Sequence, residues 1–138
     1  MDRESSLEQS YLTLVEFLLL AKQRLLELGA EHGMSGMQVT TLLLSETPRP
    51  MNSFKHLFNC DASNVTGIVD GLQQKKLVAR YENPHDRRVK MVELLAEGKR
   101  LRATLLRQLT TSDEYLLAKL TPSEATTFIE LVQKITRA

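Results

Sequence analysis

Asp86, Arg87 and Arg88 stand side by side in the stretch ENPHDRRVKM, residues 82–91, just behind an Asn-Pro pair. Asn-Pro initiates a turn, because proline fixes φ and the asparagine side chain bonds nearby backbone. Leu77–Tyr81 before it and Val89–Leu94 after it read as short strands, which puts both arginines at the tip of a hairpin. A guanidinium there is a rigid, permanently charged fork of donors, suited to phosphate and to the negative potential of a narrow nucleic-acid groove. Asp86 is placed to accept from Arg88 and from the amides of the turn. The plainer alternative is a solvated basic turn with a local Asp–Arg pair.

A second group of polar residues lies upstream. Val65, Ile68, Val69 and Leu72 recur at i, i+3, i+4 and i+7, one buried stripe of a helix that Asp61 caps. At about 100° per residue, Ser63, Gly67, Asp70 and Gln74 point away from that stripe, with Asn64 and Thr66 beside them. Asparagine can pair bidentately with adenine, and hydroxyls can serve bases or phosphates. The competing reading for Asp61 and Ser63 is simple capping of a first turn. Gly67 costs about 1 kcal/mol against alanine inside a helix, and on the outer face it would let a groove approach the backbone. For Gly71 tolerated weakness is the better reading. Lys55, Lys75, Lys76, Arg80 and Lys90 are further candidates for phosphate contacts.

Elements on both sides must position these groups. Leu7 to Leu28 is helical in pattern, with Leu7, Tyr11, Leu14, Val15, Leu18, Ala21, Leu25 and Leu28 on one surface. Leu12, Phe17, Leu19, Leu20 and Leu26 form a second one, which suggests burial on two sides and a partner chain. Ser35-Gly36-Met37-Gln38 is a capping box for a second helix. Asn52 is a fair N-cap for a third, in which Phe54, Leu57 and Phe58 are the apolar side. A fifth helix starts near Ala96 and carries Leu101, Leu105, Leu106 and Leu109; Thr110-Thr111-Ser112 weakens it before Tyr115, Leu116, Leu117 and Leu120. The sixth begins at Thr121-Pro122 with Glu124 at N3, and Phe128, Leu131, Val132 and Ile135 line one side. The order predicts a mainly α fold with a small β-hairpin wing: a six-helix winged helix-turn-helix.

Charge is distributed to match. The net charge is +1, yet residues 49–107 hold twelve Lys and Arg against six Asp and Glu, while both ends are acidic. At 138 residues the chain is the size of one domain. Its polar start does not resemble a signal peptide, and the apolar run Phe17–Ala21 is far too short to span a bilayer, so no membrane partner is expected. A single cysteine, Cys60, fits a reducing cytoplasm. It reads best as a small core residue, with a redox switch as the alternative. His32, His56 and His85 are scattered, so neither a metal nor a cofactor is expected. With no Ser/His/Asp set, phosphate loop or HExxH, neither is an enzyme.

Residues 60–101 resemble the multiple antibiotic resistance regulator (MarR) family, on SNVTGIVD at 63–70, LVAR at 77–80 and NPHDRR at 83–88. The last is similar to the family's wing signature, an aspartate followed two positions on by arginine. The resemblance implies a single domain, 1–138. Residues 1–34 and 96–138 would be its helical dimerisation region and 35–95 its DNA-binding lobe. It implies a homodimer on palindromic operator DNA and an effector, often phenolic or otherwise lipophilic; Leu14, Phe17, Leu18 and Leu25 are candidates to line its pocket, the commoner alternative being that they are simply core. It also singles out Arg88 for minor-groove insertion, with Arg87 on a phosphate and Ser63, Asn64, Thr66 and Gly67 facing the major groove. Gly71 stands where the family usually has arginine, and Lys76 where it usually has glycine. The expected function is a transcription regulator, a repressor relieved by its effector. The alternatives are a protein-interaction module that has lost operator binding, or a redox-responsive regulator acting through Cys60.

Overall fold

Apolar side chains recurring every three or four residues fold as helices in the computed structural model of the chain, which describes residues 1–111 and 116–137. In chain order the elements are α1 (Arg3–Glu31), α2 (Gly36–Leu44), β1 (Arg49–Pro50), α3 (Met51–Phe58), α4 (Ala62–Gln74), β2 (Val78–Asn83), β3 (Asp86–Leu94) and α5 (Ala96–Thr111). A short 3-10 helix (Leu116–Lys119) and α6 (Pro122–Thr136) follow. The mainly α winged-helix architecture expected from the sequence is thus present. The chain forms two compact units, Met1–Leu105 and Leu106–Ala138.

In the first unit, local chemistry starts each helix of the central region. Ser35 and Gln38 form a complete capping box on α2, and the Asp61 carboxylate accepts from the Asn64 amide to start α4. Asn52 does not cap α3. Pro50 takes that position in extended conformation because it already belongs to β1, and the chain passes directly from strand to helix. Helix α3 ends on Asn59 in the left-handed conformation (φ 47°), and Lys76 adopts φ 60° just beyond α4. Lysine there takes up the conformation that glycine would accept without strain.

The core follows the predicted stripes. Val65, Val69 and Leu72 of α4 are buried with Leu28, Val39, Leu42 and Phe54, and with Val78 and Val92 of the sheet. The sheet is antiparallel, ordered β1-β3-β2. It exceeds the expected hairpin: β1 adds a third strand by pairing Arg49 with Val92 and Pro50 with Met91. Two residues are too few to show any periodicity, and the paired proline hides the strand further. Both hairpin strands also run nearer the tip than expected, leaving a two-residue turn at Pro84-His85. Helix α1 is buried at Leu28 and Gly29 near its C-terminal end, while Tyr11, Leu12, Val15, Leu18 and Leu19 are all at least half exposed.

In the second unit, α6 begins with the predicted capping box of Thr121 and Glu124, with Pro122 in the first turn. Its Leu131 and Ile135 are exposed. Thr110 and Thr111 bond back to the carbonyls of Leu106 and Arg107 as α5 ends. The continuation of that weak point, Ser112 and Tyr115, lies outside the described residues. Among the described residues no helix is long and apolar enough to cross a membrane.

Candidate nucleic-acid interface

The wing tip is organised by two side chains that replace backbone bonding in the turn. Asn83 Oδ1 accepts from the His85 amide at 2.9 Å, the local turn that Asn-Pro favours. Asp86 Oδ1 accepts from the backbone amide and the Nε of Arg88, both at 3.1 Å, and Asp86 Oδ2 accepts from Arg88 Nη2 at 3.2 Å. The guanidinium is therefore held at two points while its side chain stays 91 % exposed. Two of its donor nitrogens face Asp86, and the rest of the fork faces outward. Arg87 beside it is exposed, with no partner among the described residues. The Asp86 carboxyl is held below the ordinary carboxylate range, first by the Arg88 side chain and then by the Arg88 amide.

At the start of α4 one carboxylate serves two groups: Asp61 Oδ1 accepts from the Asn64 amide at 2.9 Å and from Ser63 Oγ at 2.7 Å. These bonds, backbone first, lower the Asp61 pKa. Thr66 Oγ1 donates back to the Ala62 carbonyl at 3.0 Å. Both hydroxyl protons are thus used inside the helix, so outward Ser63 and Thr66 present lone pairs. They suit a base amine rather than a phosphate oxygen. The Asn64 carboxamide is exposed and has no internal partner among the described residues, so it keeps its donors and its acceptor.

A depression of about 180 Å³ joins these parts. Lys55 of α3, Ala62 and Thr66 of α4, and Arg88 and Lys90 of β3 all line it. The helix start and the wing arginine therefore open onto one face. Gly67 is exposed, and a Cβ there would meet nothing within 4 Å.

Three expectations are modified. Lys75 is the C-cap of α4, roughly 18 Å along the helix from Ser63, and does not line the depression. Lys90 lies in it but is paired with Glu82 at 2.8 Å across the hairpin. Arg80 is not a free phosphate ligand: its Nη2 lies 2.7 Å from Asp70 Oδ1, and its Nε donates to Gln73 Oε1 at 2.9 Å. Asp70 and Gln73 stand three apart on one face of α4, so Arg80 ties that helix to β2. The spacing was visible in the sequence, but not which strand residue would reach it. Cys60 is half-buried, and no group of His, Cys, Asp and Glu among the described residues could hold a metal. Of the residues expected near an effector, Leu14 and Leu18 are exposed and Phe17 and Leu25 half-buried on α1.

Because the folded pKa of Asp86 is depressed, its grip on Arg88 is complete above the ordinary carboxylate range and is lost as pH falls through the folded value. Arg88→Ala should raise the Asp86 titration midpoint toward that of a free aspartate, as read by carboxyl-carbon NMR. An unchanged midpoint would mean the pair does not form in solution.

The MarR family model matches residues 48–90, the span from β1 through the wing tip to Lys90. An uncharacterized HTH-type transcriptional regulator, YpoP, of Bacillus subtilis is 23% identical over 111 residues, covering 78% of this chain and 77% of its own. The transcriptional regulator BldR from Sulfolobus solfataricus superposes with a TM-score of 0.78 at 24% identity, covering 98% of this chain and 97% of that one. Wild-type MarR from E. coli in the apo form gives 0.65 at 26% identity over 90% and 94% of the two chains. A mutant of that protein complexed with operator DNA gives 0.63 at 24% identity over 99% of each. MarR-family transcription regulators are non-enzymatic DNA-binding proteins. Residues 48–90 match the MarR family model, and the chain shares the winged helix-turn-helix fold of solved relatives that include MarR from E. coli.

Proposed function

We propose that the chain is a sequence-specific, dimeric repressor of transcription whose α4 reads the major groove of a palindromic operator while Arg88 enters the flanking minor groove. The observation that carries this is the single depression shared by the start of α4 and Arg88. Ser63, Asn64 and Thr66 then meet base edges, and Arg87, Lys55 and Lys90 meet phosphates. The Glu82–Lys90 pair is half exposed on both sides, so a phosphate can take over from the glutamate at little cost. The E. coli relative solved with operator DNA supports the same use of the fold.

Dimerisation through residues 1–34 and 96–138 is supported by apolar surface that water would otherwise cover. Tyr11 is 69 % exposed, Leu19 64 % and Ile135 82 %. Large exposed apolar patches mark interaction surfaces. A small lipophilic effector would find Leu14, Phe17, Leu18 and Leu25 on the same helix, α1. It relieves repression if it binds better to a dimer whose two α4 helices are wrongly spaced for DNA. Gly71 and Lys76, the departures from the family pattern, are the sequence support for a module without operator binding. Lys76 supplies the left-handed residue after α4 without a glycine, which weakens that alternative.

Two variants test the proposal by fluorescence anisotropy on DNA flanking the chain's own gene, titrated with salt. Arg88→Ala should weaken specific binding by about 10- to 100-fold and make the salt dependence shallower. Equal affinity for scrambled DNA, or no effect of the substitution, would refute operator recognition. Gly67→Ala should stabilise the free protein by about 1 kcal/mol, since alanine favours helix and the added Cβ has space, yet weaken operator binding. Unchanged operator binding would place Gly67 away from the DNA.

A further inference from the structure

We propose that Gly71 and Gln38 form a registration lock for the recognition helix: the Gln38 carboxamide fills the space that a side chain at 71 would take, and operator affinity depends on the spacing of α2 and α4 this sets. The inference rests on the operator-binding function proposed above. Gly71 is half-buried in α4, next to Asp70, whose carboxylate grips Arg80 of β2. A Cβ built on Gly71 would overlap Gln38 Nε2 and lie 3.6 Å from Gln38 Cδ. The free end of a glutamine normally swings aside from such a contact. Here it cannot do so freely, because Gln38 Oε1 accepts from the Ser35 amide at 3.0 Å and completes the capping box of α2. With Oε1 held on Ser35, Nε2 of the same planar carboxamide lies against Gly71, and swinging it aside strains or breaks that bond.

Gly71 is therefore more than tolerated weakness. It is a positioning residue. At adjacent positions α4 meets two neighbours, packing against Gln38 of α2 at Gly71 and pairing with Arg80 of β2 at Asp70. A helix is a stiff rod, and Asn64 lies roughly 10 Å along it from Gly71. Moving α4 off α2 at Gly71 therefore moves the groups that face base edges, although none of them is altered.

The test is a double-mutant cycle on the full chain, with Gln38→Ala, Gly71→Ala and the pair, reading urea stability and operator affinity at a temperature where every variant is folded. In the native background Gly71→Ala should lower stability, against alanine's helix preference, and weaken operator binding by about fivefold or more. In the Gln38→Ala background the same substitution should raise stability and leave operator affinity within about twofold of Gln38→Ala alone. The salt dependence should stay unchanged throughout, because no phosphate contact is removed. Equal effects of Gly71→Ala in both backgrounds, or a shallower salt dependence, would overturn the lock. If the native chain itself fails to distinguish operator from scrambled DNA, the proposed function falls, while the stability cycle still decides whether the lock exists.

Discussion

Burial of one stripe on α4 governs the arrangement. Val69 and Leu72 are fully buried and Val65 nearly so, and each such side chain removed from water contributes about 1.5–3 kcal/mol. With that stripe committed to the core, helical geometry leaves no choice about the opposite face. Ser63, Gly67 and Gln74 turn outward because Val65, Val69 and Leu72 turn inward. The Asp61 cap then fixes where the helix starts, and hence which polar groups stand at the end nearest the wing.

Polar contacts refine what burial only roughly sets. The Gln38 carboxamide, held by the Ser35 amide, lies against α4 at Gly71, and the Arg80 guanidinium reaches both Asp70 and Gln73 of the same helix. The two-point Arg80 contact specifies orientation more than it adds stability. The wing tip differs. Its Asp86–Arg88 pair is exposed, so it contributes little to folding and instead holds the guanidinium in one direction before any ligand arrives. Preorganisation of this kind lowers the ordering cost of binding. The basic middle of the chain thus contains two kinds of cation: Arg80, built into the scaffold, and Arg87 and Arg88, which reach into solvent.

Features that rest on local chemistry were legible in the sequence. The capping boxes at Ser35 and Thr121, the Asp61 cap, the α4 stripe and the Asn-Pro turn are each decided within a few residues, and each is present. The contact of Asp86 with Arg88 was legible for the same reason. What could not be read depends on partners distant in sequence. Strand β1 exists because β3 offers an edge to Arg49 and Pro50, about forty residues before it. Arg80 looked like any surface cation until Asp70 and Gln73 were brought beside it. Gly71 looked like a weak spot because its neighbour, Gln38, lies on another helix. At the start of α4, residue types were legible but hydrogen directions were not: capping and back-bonding use the Ser63 and Thr66 protons, while the Asn64 carboxamide keeps its donors and acceptor.

In the proposed function, the start of α4 and the Arg88 guanidinium address neighbouring grooves from one face of each subunit. Methylation interference on the chain's own upstream DNA tests it most directly, because purine methylation marks guanine N7 in the major groove and adenine N3 in the minor groove. Such a dimer gives two symmetric clusters of N7 interference about one helical turn apart, each flanked by N3 interference that disappears in Arg88→Ala while the N7 clusters remain. A single cluster, or N3 interference that survives loss of Arg88, would contradict it.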